Sequence, residues 1–326
     1  MKRKIALILS LLLILLTACN TNNLLEYKKA AEKREQITKG QTSGAFTVIT
    51  EINRDGLTAE EIKELNYIKD MQGSYSVVFD EDEEKIIIRN YMNLGGLGYD
   101  LEVYINGEEM SMKLPVVGKY LKIDKEIISV DEEAFEKENQ VISEKTIKEL
   151  TEKWLGLMNE EDVFRGKGII LTTPDGEVKT TEYTIKLNNE QIKSLLKDCA
   201  GILPEDENLK AFYEKNIRAN AEFLQIKTFE EFINDIIKAA EEFYVEKFNY
   251  TAYVDIDGYI VNEIIEISIK AIDSEKEGVV GMDYNLDIKS WDINKEQKFD
   301  FPVLTDENTL KIEDLDVDMP NAFINN

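Results

Sequence analysis

The sequence predicts an α+β fold, a curved antiparallel sheet packed against several amphipathic helices, and three observations lead there. Apolar and polar residues alternate through the first third of the chain and again through the last third, the pattern of strands with one buried face. Between those regions the apolar residues recur at helical spacing. One-sided strands and one-sided helices bury their apolar surfaces by covering one another.

Residues 24–39, rich in Lys, Glu and Ala, read as a largely solvated helix. Phe46, Val48, Thr50 and Ile52 then share a strand face, and Asp55-Gly56 turns the chain. Thr58 stands three residues before Glu61, the capping-box spacing of a short helix. An antiparallel meander over 73–123 follows from the alternations Tyr75/Val77/Phe79, Leu101/Val103/Ile105 and Met110/Met112/Leu114, with the run Ile86–Ile88 between them. Asn106-Gly107 supplies its strongest hairpin signal. The acidic run 80–84 reads as a solvated hairpin loop. Residues 93–98 are glycine-rich but lack the Lys and Ser/Thr of a phosphate loop, so they read as a flexible inter-strand loop.

The middle of the chain is helical. Ile147, Leu150, Trp154, Leu155 and Met158 fall on one helix face over 144–159. Strands at 168–173 and 177–187, joined by Pro174-Asp175-Gly176, interrupt it. Asn188 caps a helix carrying Ile192, Leu195, Leu196 and Cys199, and Pro204 opens another with Leu209, Phe212 and Tyr213. The widest apolar stripe is Phe229, Phe232, Ile233, Ile236, Ile237, Ala240, Phe243 and Tyr244. Strands return at Tyr250–Ile256, Val261–Ala271 and Val279–Trp291, with Asp257-Gly258 as a turn, and the final thirty residues read as acidic and partly mobile.

The chain opens with Lys2, Arg3 and Lys4, runs apolar from Ile5 to Leu16 and ends in small residues, the order of a secretory signal peptide. The run is too short to span a bilayer. Leu16-Thr17-Ala18-Cys19 resembles a bacterial lipobox. That resemblance implies a thioether-linked diacylglycerol on Cys19 and cleavage before it, so two acyl chains would hold the protein on the outer face of the cell membrane. The expected division is a signal peptide at 1–18, the lipidated cysteine and a tether at 19–23, one domain at 24–304 and an acidic tail at 305–326. The net charge is −26, and loss of the three leading cations takes it to −29, so an anionic leaflet would repel the body and nucleic acid is not an expected partner.

The absence of histidine removes Ser-His-Asp and Cys-His nucleophilic systems and the commonest zinc ligand. With Cys19 lipidated, Cys199 has no disulfide partner, and on the apolar face of its helix it reads as a small core residue. Asp255-Ile-Asp257-Gly258 fails as a calcium loop because Tyr253 and Ile264 would occupy its first and last ligand positions. Nothing marks any two of the 65 acids as a converging pair. A non-enzymatic protein without cofactor or metal is the expectation.

Two packings satisfy this pattern: a solid two-layer core, or a curved sheet wrapped over the helices around an apolar cavity. In the second, Phe212, Phe229, Phe232, Ile236 and Phe243 would line the hollow. The signal ending, the early meander, the central helices, the phrase Glu182-Tyr-Thr-Ile-Lys-Leu-Asn-Asn-Glu-Gln-Ile and Phe299-Asp-Phe-Pro resemble the LolA/LppX-type lipoproteins. The resemblance implies an unclosed β-barrel over helices with acyl chains or lipoproteins in the hollow. A lipid or acyl ligand is thus expected; a filled interior would instead suit a protein-interaction or sensor module with a partner in the cell envelope.

Overall fold

The computed structural model describes residues 22–115, 117–123, 142–214, 218, 228–273 and 278–310. Leu16, Thr17, Ala18 and Cys19 lie outside the described residues, as do 311–326 of the acidic tail. The chain opens with helix α1 (Asn23–Glu32) and a 3₁₀ turn (Lys33–Gln36), then β1 (Lys39–Asn53) and α2 (Ala59–Lys69). The first meander is β2 (Asp70–Asp80), β3 (Lys85–Leu94), β4 (Leu97–Asn106), β5 (Glu109–Leu114) and β6 (Lys119–Ile123). Helix α3 (Glu144–Leu157), β7 (Val163–Thr173), β8 (Gly176–Ile185), α4 (Asn189–Ile202), α5 (Glu207–Phe212) and α6 (Phe229–Glu242) make the middle. Strands β9 (Phe243–Asp255), β10 (Ile260–Ala271), β11 (Gly278–Trp291) and β12 (Thr309–Leu310) close the chain.

The twelve strands among the described residues join one sheet, in the order β12-β6-β5-β4-β3-β2-β1-β11-β10-β9-β8-β7. The first meander and the closing one are fused by the antiparallel pair β1–β11, with Gln41 opposite Trp291 and Asn53 opposite Gly278. Only β12 runs parallel to its neighbour β6. The result is a large, curved, unclosed antiparallel sheet with helices, as the alternation predicts. Thr309 and Leu310 belong to this sheet although the sequence places them in a tail, because the chain after β11 returns along the molecule to pair with Tyr120 and Leu121.

Local chemistry accounts for the turns and ends. Thr58, Asn188 and Thr228 each accept from the third helical N–H while the residue there, Glu61, Gln191 or Glu231, returns a bond, so three helices begin on capping boxes. The β4–β5 turn is Gly107-Glu108, one residue later than Asn106-Gly107 suggests: Asn106 pairs with Glu109, and Gly107 takes φ +59°. Residues 93–98 form a tight hairpin rather than a loose loop, because Gly95 and Gly96 both adopt positive φ between paired Leu94 and Leu97. The last helix stops at Glu242, so Phe243 and Tyr244 open β9 instead of extending α6.

The reading of 24–39 as a solvated helix is corrected. Tyr27 and Ala30 of α1 are buried in the main core, with Tyr183, Ile185, Tyr250, Ala252 and Val254 of β8 and β9 and Met158 and Ile192 from the helical region. Tyr27 and Ala30, one turn apart, dock this otherwise charged helix with Leu24 and Ala31 packed beside them. Alternation sets the two faces of the sheet. Tyr183, Ile185, Tyr250 and Ala252 point to the helices, whereas Glu182, Thr184, Thr251 and Tyr253 point away.

Curvature shows at the β7 end. β7 comes back close to β11 although three strands separate them in the sheet, and Lys295 reaches Asp175 in the β7–β8 turn at 3.4 Å. On this overhanging hairpin Thr173 and Thr180, facing the polar side of the sheet, are buried, while Ile170 on the other side is 60% exposed. The hairpin therefore curls towards the polar face, away from the packed helices. No helix among the described residues is long and apolar enough to cross a membrane.

Candidate functional site

The helical part is the first place to seek the predicted hollow. Phe229 is buried with Tyr213, Ala200 and Ile233, and Phe232, Ile237, Leu203 and Leu209 pack around them. The Tyr213 ring meets Phe229 at 5.2 Å and Phe232 at 5.3 Å between centroids. These rings occupy one another's contact space, so Phe229 and Phe232 are parts of a packed cluster. Phe212 is half-buried at the end of α5, and Phe243 is half-buried at the start of β9, paired with Ala271. The backbone of Ile236 lies in α6, but its side chain is outside the described set. Helical periodicity identified an apolar stripe here; it could not tell a lining from a core.

Helix α1 is fixed to the sheet by a polar network inside the main core. Glu263 of β10 is only 5% exposed; it accepts from the Tyr250 hydroxyl and pairs with Arg34 just after α1. Trp154 of α3 donates from Nε1 to the Tyr27 hydroxyl at 3.1 Å, and Tyr27 and Tyr250 meet edge to face at 6.0 Å. Burial first, and then the neighbouring Tyr250, push the Tyr27 phenol above its ordinary range, so it stays neutral. A network held this way suits a structural clamp. Cys199 is half-buried on α4, and burial followed by Asp198 pushes its thiol up, the wrong direction for a nucleophile.

Beyond the main core the apolar face of the sheet continues over β2 to β6. One cross-strand row is Val77, Ile88, Val103, Met112 and Leu121, running over β2 to β6. A second is Phe79, Ile86, Ile105, Met110 and Ile123. Towards the other ends of the strands Phe46, Met92 and Tyr99 continue the same face, with Leu101 beside them. Val103 and Leu121 are buried, most of the others are half-buried, and Leu101, Tyr99 and Leu97 are 38%, 55% and 52% exposed. Helix α2 lies against β1 and β2 at one margin of this surface. Its floor is smooth where glycine allows it: the Tyr75 ring covers Gly44 and the Phe46 ring covers Gly73, each where a Cβ would stand.

The opposite, polar face carries a groove of about 480 Å³ over β11, β1, β2, β3 and β4. A smaller one of about 260 Å³ lies between α4 and α6, lined by Lys193, Leu196, Ile237 and Ala240 with flanking acids. Among the described residues no group of three acidic or cysteine side chains is arranged to hold a metal ion.

No family model and no curated protein matches the chain. Among solved structures it is similar to a chain described as "lipid-protein interactions in lipovitellin", at 9% identity and a TM-score of 0.25. That match covers 82% of this chain and 26% of lipovitellin, so the chain spans about a quarter of that protein. It is also similar to a β-barrel-like protein of the domain of unknown function DUF1849 from Brucella abortus, at 6% identity and a TM-score of 0.20, covering 78% of this chain and 98% of that one. At these scores the likeness to either protein carries no functional argument.

Proposed function

We propose that this protein is a membrane-anchored extracytoplasmic lipoprotein that binds a hydrophobic ligand, a lipid or acyl chain, without catalysing a reaction. The observation that supports the reading is the apolar face of β2 to β6, where Leu97, Tyr99 and Leu101 are exposed among the described residues. Contiguous apolar patches of this kind mark binding surfaces in folded proteins. An acyl chain laid along the Val77–Met112 row would gain about 0.8 kcal/mol for each methylene taken from water. The ligand surface is thus assigned to the open sheet and not to the Phe229 cluster. Anchoring through Cys19 would keep the acidic body outside the leaflet.

The test uses the Cys19→Ser chain, which removes the protein's own acyl chains, purified from cells and measured by native mass spectrometry before and after organic extraction. Co-purified lipid, lost on extraction and replaced by a fluorescent fatty acid, is the expected result. Ile88→Asp and Met112→Asp should each reduce that uptake at least about tenfold, since a carboxylate in the apolar row resists desolvation. A clean apo mass with no uptake refutes ligand carriage. The packed Tyr213–Phe229 cluster favours the rival reading, a protein-interaction or sensor module of the envelope, and that result would favour it too. In the parent chain Cys19→Ser should move the protein from the membrane fraction to the soluble one; unchanged partitioning would refute lipid anchoring.

A further inference from the structure

The groove on the polar face lies between β3 and β11. Its floor is made of small side chains, Ser43 and Ala45 on β1 and Ser74 and Ser76 on β2, between taller walls on β3 and β11. Elsewhere on this face Gln72, Lys85, Glu266 and Lys247 stand up from the sheet. The three serine hydroxyls make no hydrogen bond among the described residues, so they are available to a ligand.

Charge bookkeeping shows which groups are free. Glu102 is saturated: it takes Lys113, the Tyr104 hydroxyl at 2.5 Å and the Arg89 Nε at 3.6 Å. Arg89 therefore spends one corner of its guanidinium on Glu102, and its two terminal nitrogens have no partner among the described residues. Asp287 is likewise engaged, accepting from Asn262 at 2.6 Å with Lys289 at 3.9 Å. Asp100, opposite Tyr91, is exposed and has no partner among the described residues. One free cation fork and one free carboxylate remain. They sit on adjacent strands at a diagonal of the ladder, roughly 7–8 Å apart at the backbone, with the Tyr91 ring beside them.

We propose that this groove binds a small zwitterion of amino-acid or short-peptide type. Arg89 takes the carboxylate in a two-pronged bond, Asp100 takes the ammonium, and the serine floor bonds the amide groups between them. A volume of about 480 Å³ falls in the range of small-ligand sites. The site lies on the opposite face from the apolar surface and does not depend on the lipid reading.

The test is isothermal titration calorimetry on the purified full chain with L-alanyl-L-alanine, its N-acetyl form and its C-terminal amide. The free dipeptide should bind saturably, and each blocked form about tenfold more weakly, the loss of one charge-assisted contact. Arg89→Gln should bind the dipeptide and its amide equally while still rejecting the N-acetyl form. Asp100→Asn should show the converse, and Ser74→Trp, which fills a solvent-facing groove, should abolish binding. Thermal melts check that each variant is folded, and fatty-acid uptake should be unchanged in all three. No saturable signal for the dipeptide in the millimolar range, or equal binding of the free and both blocked forms, overturns the proposal.

Discussion

At the scale of single residues, Asp206 joins two helix starts with one carboxylate. It accepts from the Leu209 N–H at 2.8 Å as the cap of α5 and from the Ser143 N–H and hydroxyl, the cap of α3, at 2.9 and 2.8 Å. Burial alone would raise its pKa, but the bonds from Thr146, Leu209 and Ser143 outweigh it and lower it from 3.8 to about 2. A depressed folded pKa means the stabilisation is complete above the ordinary aspartate range and is lost as pH falls from about 4 through about 2. Asp206→Ala should cost about 1–2 kcal/mol in urea unfolding at pH 7, and the difference from the parent should shrink at pH 2. Gly44 makes a second prediction. A Cβ there would stand 2.3 Å from the Tyr75 ring, so Gly44→Ala should destabilise by about 1–3 kcal/mol, and adding Tyr75→Ala should relieve the clash. The caps Thr58 and Asn188 were legible in the sequence, because a cap is local. Asp206 beside Ser143 was not, because the pair is 63 positions apart.

At the scale of elements, α1 is the one that links the fold to the chain entering from residue 22. Its outer face is charged, and its docking rests on Tyr27, Ala30 and the Arg34–Glu263 pair at its end. Arg34→Ala would leave the buried Glu263 carboxylate with only the Tyr250 hydroxyl, a costly half-satisfied state. The variant should lose about 2–4 kcal/mol and show faster amide exchange along α1 before the rest of the molecule. Arg34→Ala with Glu263→Leu should recover much of that loss; a double variant as unstable as the single would refute the clamp. Composition alone pointed to a solvated helix here, because the Lys and Glu of 24–39 hide the inward positions. Strands with clean alternation, such as Tyr183/Ile185, were readable because period two assigns the face of every side chain at once.

At the scale of the whole molecule, the sheet has an apolar face and a polar face, and the main core of the described residues lies at the β8–β9 end of the apolar one. Alternation in β2 to β5 showed that an apolar face exists, and the Met110/Met112/Leu114 run located part of it. It could not show whether helices reach that far. Salt should separate the two sites: uptake of a fatty acid on the apolar face should change little between low and high salt, whereas zwitterion binding beside Arg89 and Asp100 should weaken as screening increases. Competition measurements with both probes check this directly, and mutual displacement would refute two independent surfaces.

The sequence by itself determined the α+β class, most strands and helices, the caps Thr58 and Asn188, and the one-sidedness of nearly every element. Those properties come from period and nearest neighbours, which the chain carries in order. Only tertiary structure decided that β1 pairs with β11 to fuse two meanders, that Phe229 and Phe232 join a packed cluster, and that the serines of β1 and β2 meet Arg89 and Asp100 across a groove. Each is a contact between residues far apart in the chain, fixed by sheet register and by which surfaces find a partner, and neither is written in local spacing.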